Sequence, residues 1–268
     1  MIMLVDDIDA PVLFTGRGGS GTRLLSQLAA GADVFIGNHL NKSGDSTEWV
    51  ALIYRMAVEA GGNHDLPTGS RYRRQIRVRA GQILDQALPR GSTRWGLKLP
   101  EAMLVLPLLV DAFPDARVLH LTRHPISSSL RRTHMTSRLN NALGRVALPA
   151  AYRYSKRDVA RIANDEPHMH NACSWNFQVT RVARYAREAL GSDHYLELKY
   201  EDVCAQPTRV AALVRAYVGC ADDGPGPSTA VDISRTGGWN PADPRVGAIW
   251  DVCGETAALL GYAREPAV

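Results

Sequence analysis

The residues best suited to chemistry stand in one short run, GRGGSGTRLL (16–25), between the apolar VLFT and a pair of leucines. Glycines let backbone N–H groups approach an oxyanion closely, and a helix that starts at the loop adds its dipole. Gly16 and Gly21 have the spacing of a Walker A loop. Thr22 stands where that loop's lysine belongs, however, and Arg23 where its magnesium-binding hydroxyl belongs. The run is therefore a cradle for an anion without the residues of a kinase or nucleotide hydrolase; the plainer alternative is a simple strand-to-helix turn. Arg123, in VLHLTRHP (118–125), ends an apolar run just before a helix start, a good position for gripping a phosphate.

Other chemistry-bearing residues are less informative. The histidines of HMH (168–170), read as part of a loop, have no carboxylate at ligand spacing, so no metal site is expected. The serines of PISSSL lack the surroundings of a hydrolase nucleophile. Trp175 and Trp250 fall at helical spacing and are read as core residues.

The elements that must position these residues alternate along the chain. PVLFTG (11–16), DVFIG (33–37), RWGLKL (94–99), ARVLHLTR (116–123) and HYLELKY (194–200) are short apolar runs with the pattern of strands. Between them, SGTRLLSQLAAGA, DSTEWVALIYRMAVEAGG, RQIRVRAGQILDQAL, PEAMLVLPLLVDAF, PISSSLRRTHMTSRLNNAL, NACSWNFQVTRVARYAREAL, PTRVAALVRAYVG and VGAIWDVCGETAALLGY predict helices, several opened by proline. Strands alternating with helices imply a single-domain α/β sandwich, P-loop-like, around a mostly parallel sheet over residues 1–268. Ligands in such sheets sit at the carboxyl ends of the strands. Residues 140–170 fit no element clearly and are taken as an insertion or acceptor lid.

The bulk composition narrows the function classes. The 268 residues are 45% hydrophobic and carry a net charge of +4, concentrated in RYRRQIRVR (71–79) and RHPISSSLRRTHMTSR (123–138). Such clusters suit an anionic ligand or a solvated helix face. No nucleic-acid module or basic run interleaved with aromatics accompanies them, so no nucleic-acid partner is expected. No apolar run reaches the roughly 20 residues of a membrane span, and the start, MIMLVDDIDAP, does not read as a secretion signal. The four cysteines show no paired or zinc-like spacing, consistent with thiols in the cytoplasm. The sequence is compatible with a homo-oligomer without requiring one.

Taken together, the motifs resemble those of sulfotransferases that use 3′-phosphoadenosine-5′-phosphosulfate (PAPS), in family order and over most of the chain. RGGSGTRLL is similar to the 5′-phosphosulfate loop. Ser20-Gly21-Thr22 resembles the version in tyrosylprotein sulfotransferases, and Gly21-Thr22-Arg23 the version in heparan sulfate sulfotransferases. The basic residue that normally precedes this triplet is replaced by Gly19, and Arg17 is the candidate to substitute for it. By this resemblance Arg17, Gly18, Gly19, Ser20, Gly21, Thr22 and Arg23 would hold the phosphosulfate. Arg123 would hold the 3′-phosphate. The family's second ligand there is a serine at the place of Arg131; Ser127, one turn earlier, and Arg131 itself are equal candidates. Tyr200, in LELKYEDVCAQP, would lie near the adenine, and Arg235, Gly237 and Gly238, in RTGGWNP, would close over the 3′-phosphate. WGLKLPE resembles the family's lysine segment, with Lys98 facing the leaving group. Allowing one deletion, the family's glutamate base aligns with His39, an imidazole suited to taking a hydroxyl proton; Asp45 and Glu48 are the reserves.

The resemblance thus implies an enzyme with PAPS as co-substrate, no metal, and a small-molecule or carbohydrate acceptor contacting 39–48, 61–72 and 140–170. Its catalytic residues would be His39, Lys98 and Arg17. The competing readings are a P-loop-like nucleotide kinase or hydrolase, and a non-catalytic nucleotide- or polyanion-binding protein.

Overall fold

Each apolar run read as a strand forms one, and all pair in parallel. The computed structural model describes residues 8–61, 70–87, 94–220 and 239–265. Its strands are β1 (Val12–Gly16), β2 (Val34–Phe35), β3 (Arg94–Lys98), β4 (Arg117–Thr122) and β5 (Tyr195–Lys199), in the spatial order β2-β3-β1-β4-β5. β1 is central: Phe14 pairs with Lys98 of β3, and Gly16 with Leu121 of β4. This register brings the ends of the glycine-rich strand, the lysine strand and the arginine strand to one edge of the sheet. The chain leaves β1 toward β2 and leaves β4 toward β5, so a crevice opens between their carboxyl ends.

Alternation along the strands divides the core in two. Val12, Phe14, Leu119, Leu121 and Leu198 pack on one face against α1 (Arg23–Gly31), α8 (Tyr200–Ala205) and α9 (Pro207–Tyr217). Leu13, Leu97 and Val118 face the opposite, larger core. That core is built from α2 (Val50–Glu59), α3 (Ser70–Ala87), α4 (Leu106–Ala112), α6 (Ala142–Tyr154), α7 (Pro167–Ala189) and α10 (Arg245–Leu259). The 23 residues of α7 are buried along most of their length, with Trp175 fully enclosed. A sheet covered on both faces explains why its strands are nearly continuous apolar runs.

Three local expectations change. The helix expected from Pro100 to Phe113 is a 310 stretch, Pro100–Val105, followed by α4. Pro107 lacks the N–H and crowds the preceding turn, which disfavours a continuous α-helix there, and it stands in the first turn of α4, where that N–H is not needed. The long helix expected after Arg123 is only α5 (Pro125–Ser129), followed by a 310 turn at Met135–Ser137. Here Nδ2 of Asn171 donates to the carbonyls of Ser129 and Arg131, both at 3.0 Å, and draws the chain toward α7. HMH is not in a loop but in the first turn of α7, where Nε2 of His170 meets the Ile162 carbonyl at 3.1 Å. Residues 140–170 supply α6, whose Leu143, Leu148, Ala151 and Tyr152 are buried, and a 310 turn at Val159–Ala163.

Candidate functional site

The loop from Gly16 to Thr22 turns tightly enough to point its amides inward. Gly19 and Gly21 take φ of +93° and +87°, values that side-chain-bearing residues rarely adopt. The Ser20 amide closes the turn on the Arg17 carbonyl at 3.0 Å. Thr22 stands at the N-cap position of α1 without a side-chain capping bond, and the first turn carries no acidic residue to compete with an incoming anion. Oγ of Ser20 is buried and has no hydrogen-bond partner among the described residues, so it is available to a ligand at the loop.

Beneath this cradle lies Arg17, 1% exposed. Its Nη1 donates to the Gly18 carbonyl at 3.3 Å, and its Nη2 to Oγ of Ser137 at 3.0 Å and Oδ1 of Asn171 at 2.9 Å. Its Nε is buried and unpartnered. Among the described residues no carboxylate pairs with it. Burial lowers its pKa to about 10, so it keeps its charge at neutral pH. A buried cation held only by neutral partners leaves positive potential directly under the loop, a fit for an anion above it. Arg17 thus supports the loop from the α7 side, while Arg23 is exposed at the start of α1.

On one flank the fold gathers four residues scattered through the sequence. The Tyr200 ring lies so close to Gly21 that a Cβ there would come within 2.2 Å of it. The Arg123 guanidinium stacks on that ring, 4.1 Å from its centroid, and Nη2 of Arg123 reaches Oγ of Ser127 at 3.5 Å. Nε1 of Trp175 donates to the Arg123 carbonyl at 3.0 Å and ties the end of β4 to α7. Burial lowers the pKa of Arg123, and the nearby Arg131 lowers it further. The charge of Arg131 thus adds to that of Arg123, and such positive potential favours an anion. Arg131 lies beyond the end of α5 rather than on a continuous helix face with Ser127. Arg235, Gly237 and Gly238 lie outside the described residues.

The other flank holds a cavity beside the end of β3. Lys98, at the end of β3, is buried, and its Nζ donates to the Ser43 carbonyl at 2.9 Å and to Oδ1 of Asp45 at 2.5 Å. Burial lowers its pKa, and Asp45 opposes that shift. Beside the pair is a cavity of about 480 Å³ whose lining includes Gly19, Asp45, Tyr54, Glu101, His134 and Arg138. His39 is exposed and does not line it; its carbonyl, rather than its ring, bonds Thr47. Oε1 of Glu48 accepts from the amide and Nδ2 of Asn38, a bond within the loop.

Two residues of this cavity escaped the sequence reading. Glu101 is 3% exposed, and Nε2 of His134 lies 3.4 Å from its Oε1. Burial raises the Glu101 pKa to about 7, with Asp45 adding to the shift and Lys98 opposing it. Burial lowers His134 to about 3, assisted by the charge of Arg17. Glu101 was legible in one respect: it is an acid three residues beyond the strand-ending lysine, at the ligand edge of the sheet. His134 carried no such signal, because its position depends on the early end of α5.

Comparison with known proteins follows the same lines. A family model described as "Sulfotransferase family" matches residues 11–224. Solved structures share the fold at low identity. The sulfotransferase domain from the curacin biosynthetic pathway superposes with a TM-score of 0.51 at 13% identity, covering 95% of this chain and 98% of that one. A sulfotransferase from Alicyclobacillus acidocaldarius gives 0.52 at 14%, covering 96% and 98%. Sulfotransferase STF9 from Mycobacterium avium gives 0.53 at 16%, covering 97% and 79%. No curated protein matches the chain significantly by sequence.

Proposed function

Since the chain belongs to the sulfotransferase family, we propose that it transfers a sulfuryl group from PAPS to a hydroxyl of a small-molecule or carbohydrate acceptor, in the cytoplasm. The observation that carries this reading is the loop over Arg17: a glycine cradle with a buried Ser20 hydroxyl, set above a buried cation, neither of which meets a carboxylate among the described residues. When bound, the donor supplies an activated sulfur–oxygen bond whose breakage releases 3′,5′-ADP.

The residues divide the work by flank. The amides of Gly19, Gly21, Thr22 and Arg23, with the hydroxyls of Ser20 and Thr22, hold the phosphosulfate, while the Ser20 amide keeps the turn closed on the Arg17 carbonyl; Arg17 and Arg23 add charge from below and beside the anion. Arg123, with Ser127 or Arg131, holds the 3′-phosphate, and the Tyr200 ring lies beside the loop where a nucleoside can rest against it. Lys98 turns from Asp45 toward the leaving phosphate oxygen and offsets the charge that develops there. Preorganised donors of this kind supply most of the acceleration in related group transfers. The 480 Å³ cavity receives the acceptor, with apolar walls at Val50, Leu99 and Met135 and arginines at positions 132 and 138.

Thermal denaturation with 3′,5′-ADP, with ATP and Mg²⁺, and with heparin tests the reading. At a concentration of about 100 times its Kd, the true ligand adds roughly 2.7 kcal/mol. Stabilisation by 3′,5′-ADP without metal is expected. A response to ATP–Mg²⁺ alone would instead favour phosphoryl chemistry, and a response to heparin alone would favour polyanion binding without catalysis.

A further inference from the structure

We infer that Glu101 is the base that takes the acceptor's hydroxyl proton, and that His134 is its positioning residue; the inference rests on the donor reading above. The geometry begins at Pro100, which opens a 310 turn directly after β3 and sets the Glu101 carboxyl at the ligand edge of the sheet. Glu101 and Gly19 line the same cavity, so a hydroxyl held at this carboxylate faces the loop that would carry the sulfuryl group. His134 spans the gap between them. Its ring packs so closely on Gly18 that a Cβ there would lie 2.1 Å from it, and its Nε2 faces Glu101 at 3.4 Å.

The proton on the imidazole belongs to the inference. Nδ1 of His134 faces the Thr136 amide at 3.5 Å and Oγ1 of Thr136 at 3.1 Å, both able to donate to it, and we place the N–H on Nε2, the nitrogen 3.4 Å from Oε1 of Glu101. The ring is therefore a donor that orients Glu101, not a second base. The electrostatics agree: the buried carboxyl titrates at about 7, whereas the half-buried ring stays neutral, with a pKa of about 3. A base poised near the working pH combines an available ionised form with useful proton affinity.

The charged and titratable groups around the pair come from every neighbouring segment. Asp45 and Lys98 face Glu101, and Arg17 and Arg138 act on His134. Arg132 lines the cavity, and the Tyr54 hydroxyl is turned to the Met135 sulfur at 2.9 Å. Asp45 is bound to Lys98 and His39 stands outside the cavity, so neither competes for the role. In the step itself, the acceptor O–H proton passes to Glu101 and the acceptor oxygen forms the new bond to sulfur. The bond from sulfur to the 5′-phosphate oxygen breaks, and its electron pair leaves with 3′,5′-ADP. Glu101 then loses its proton to water.

The test uses ³⁵S-labelled PAPS with 2-naphthol as probe acceptor, and with water alone, read as release of inorganic sulfate. Wild-type turnover should rise about tenfold per pH unit below 7 and level off above it. Glu101→Gln should retain 3′,5′-ADP affinity, lose that limb and fall by roughly 10²–10⁴-fold. His134→Ala should move the limb to higher pH, because the carboxylate loses a donor, a shift that a purely structural role would not produce. Two results would overturn the inference: a Glu101→Gln variant that binds 3′,5′-ADP and keeps the wild-type rate and limb, or a His39→Ala variant that alone removes the limb. Wild type that binds 3′,5′-ADP but turns over neither probe also counts against it, because an aligned base would activate water. Wild type that fails to bind 3′,5′-ADP removes the donor reading itself, and the base with it.

Discussion

Glu101 should leave a mark on stability as well as on rate, and the size of that mark follows from its burial. Its carboxyl titrates near 4.5 in an unfolded chain and at about 7 in the fold, because burial disfavours the charged form. The folded pKa lies above the unfolded one, so stability is full below pH 4.5. It falls between 4.5 and 7, where the unfolded chain has released the proton and the fold still holds it, and stays reduced above 7. Each pKa unit corresponds to about 1.4 kcal/mol, so the penalty at pH 8 approaches about 3 kcal/mol. Glu101→Gln keeps the shape and removes the titration. Relative to wild type, the variant should therefore gain about 3 kcal/mol between pH 4 and pH 8, or roughly 6–12 °C in Tm for a chain of this size. Paired urea melts across that range provide the measurement; titrations shared by both proteins cancel in the difference. Parallel stability curves for wild type and Glu101→Gln would refute the reasoning, because the carboxyl would then titrate as it does in the unfolded chain.

Three further outcomes follow from the same site. Gly21→Ala should cost about 1–2 kcal/mol for placing a side chain at positive φ. It should also displace Tyr200 and weaken 3′,5′-ADP binding at least tenfold by calorimetry, while the far-ultraviolet circular dichroism is retained. Lys98→Met should lower turnover by roughly 10²–10³-fold with little change in 3′,5′-ADP affinity, since its charge is needed as the leaving group departs. Arg123→Ala should weaken 3′,5′-ADP by about 10–150-fold, the equivalent of one charge-assisted bond, and leave 5′-AMP nearly unaffected. Equal losses for both nucleotides would remove Arg123 from the 3′-phosphate.

Much of the sheet was legible because strands buried on both faces must be apolar. VLFTG, RWGLK and RVLHLT have that pattern, and each ends in the residue that marks the ligand edge or just before it. Boundaries failed where a distant partner intervened. PISSSLRRTHMTSRLNNAL has the composition of a helix, but Asn171, 40 residues away from Arg131, captures the carbonyls at its break. Residues 140–170, taken as an insertion or acceptor lid, contain Ala142–Tyr154, a helix with Pro149 inside it that forms a wall of the larger core.

The amino-acid sequence by itself determined the shape of the cradle: glycines at 16, 18, 19 and 21, after a strand and before a helix, give a tight turn whose backbone an oxyanion can approach. It also determined that Lys98 and Arg123 end strands, because a charged residue closes each apolar run. Only the tertiary structure decided which flank each residue serves. The parallel register set Lys98 and Arg123 on opposite sides of β1. The early end of α5 brought His134 onto Gly18 and against Glu101. Those contacts depend on chain crossings more than 30 residues apart, and a carboxyl becomes a base near neutral pH only when such crossings remove it from water.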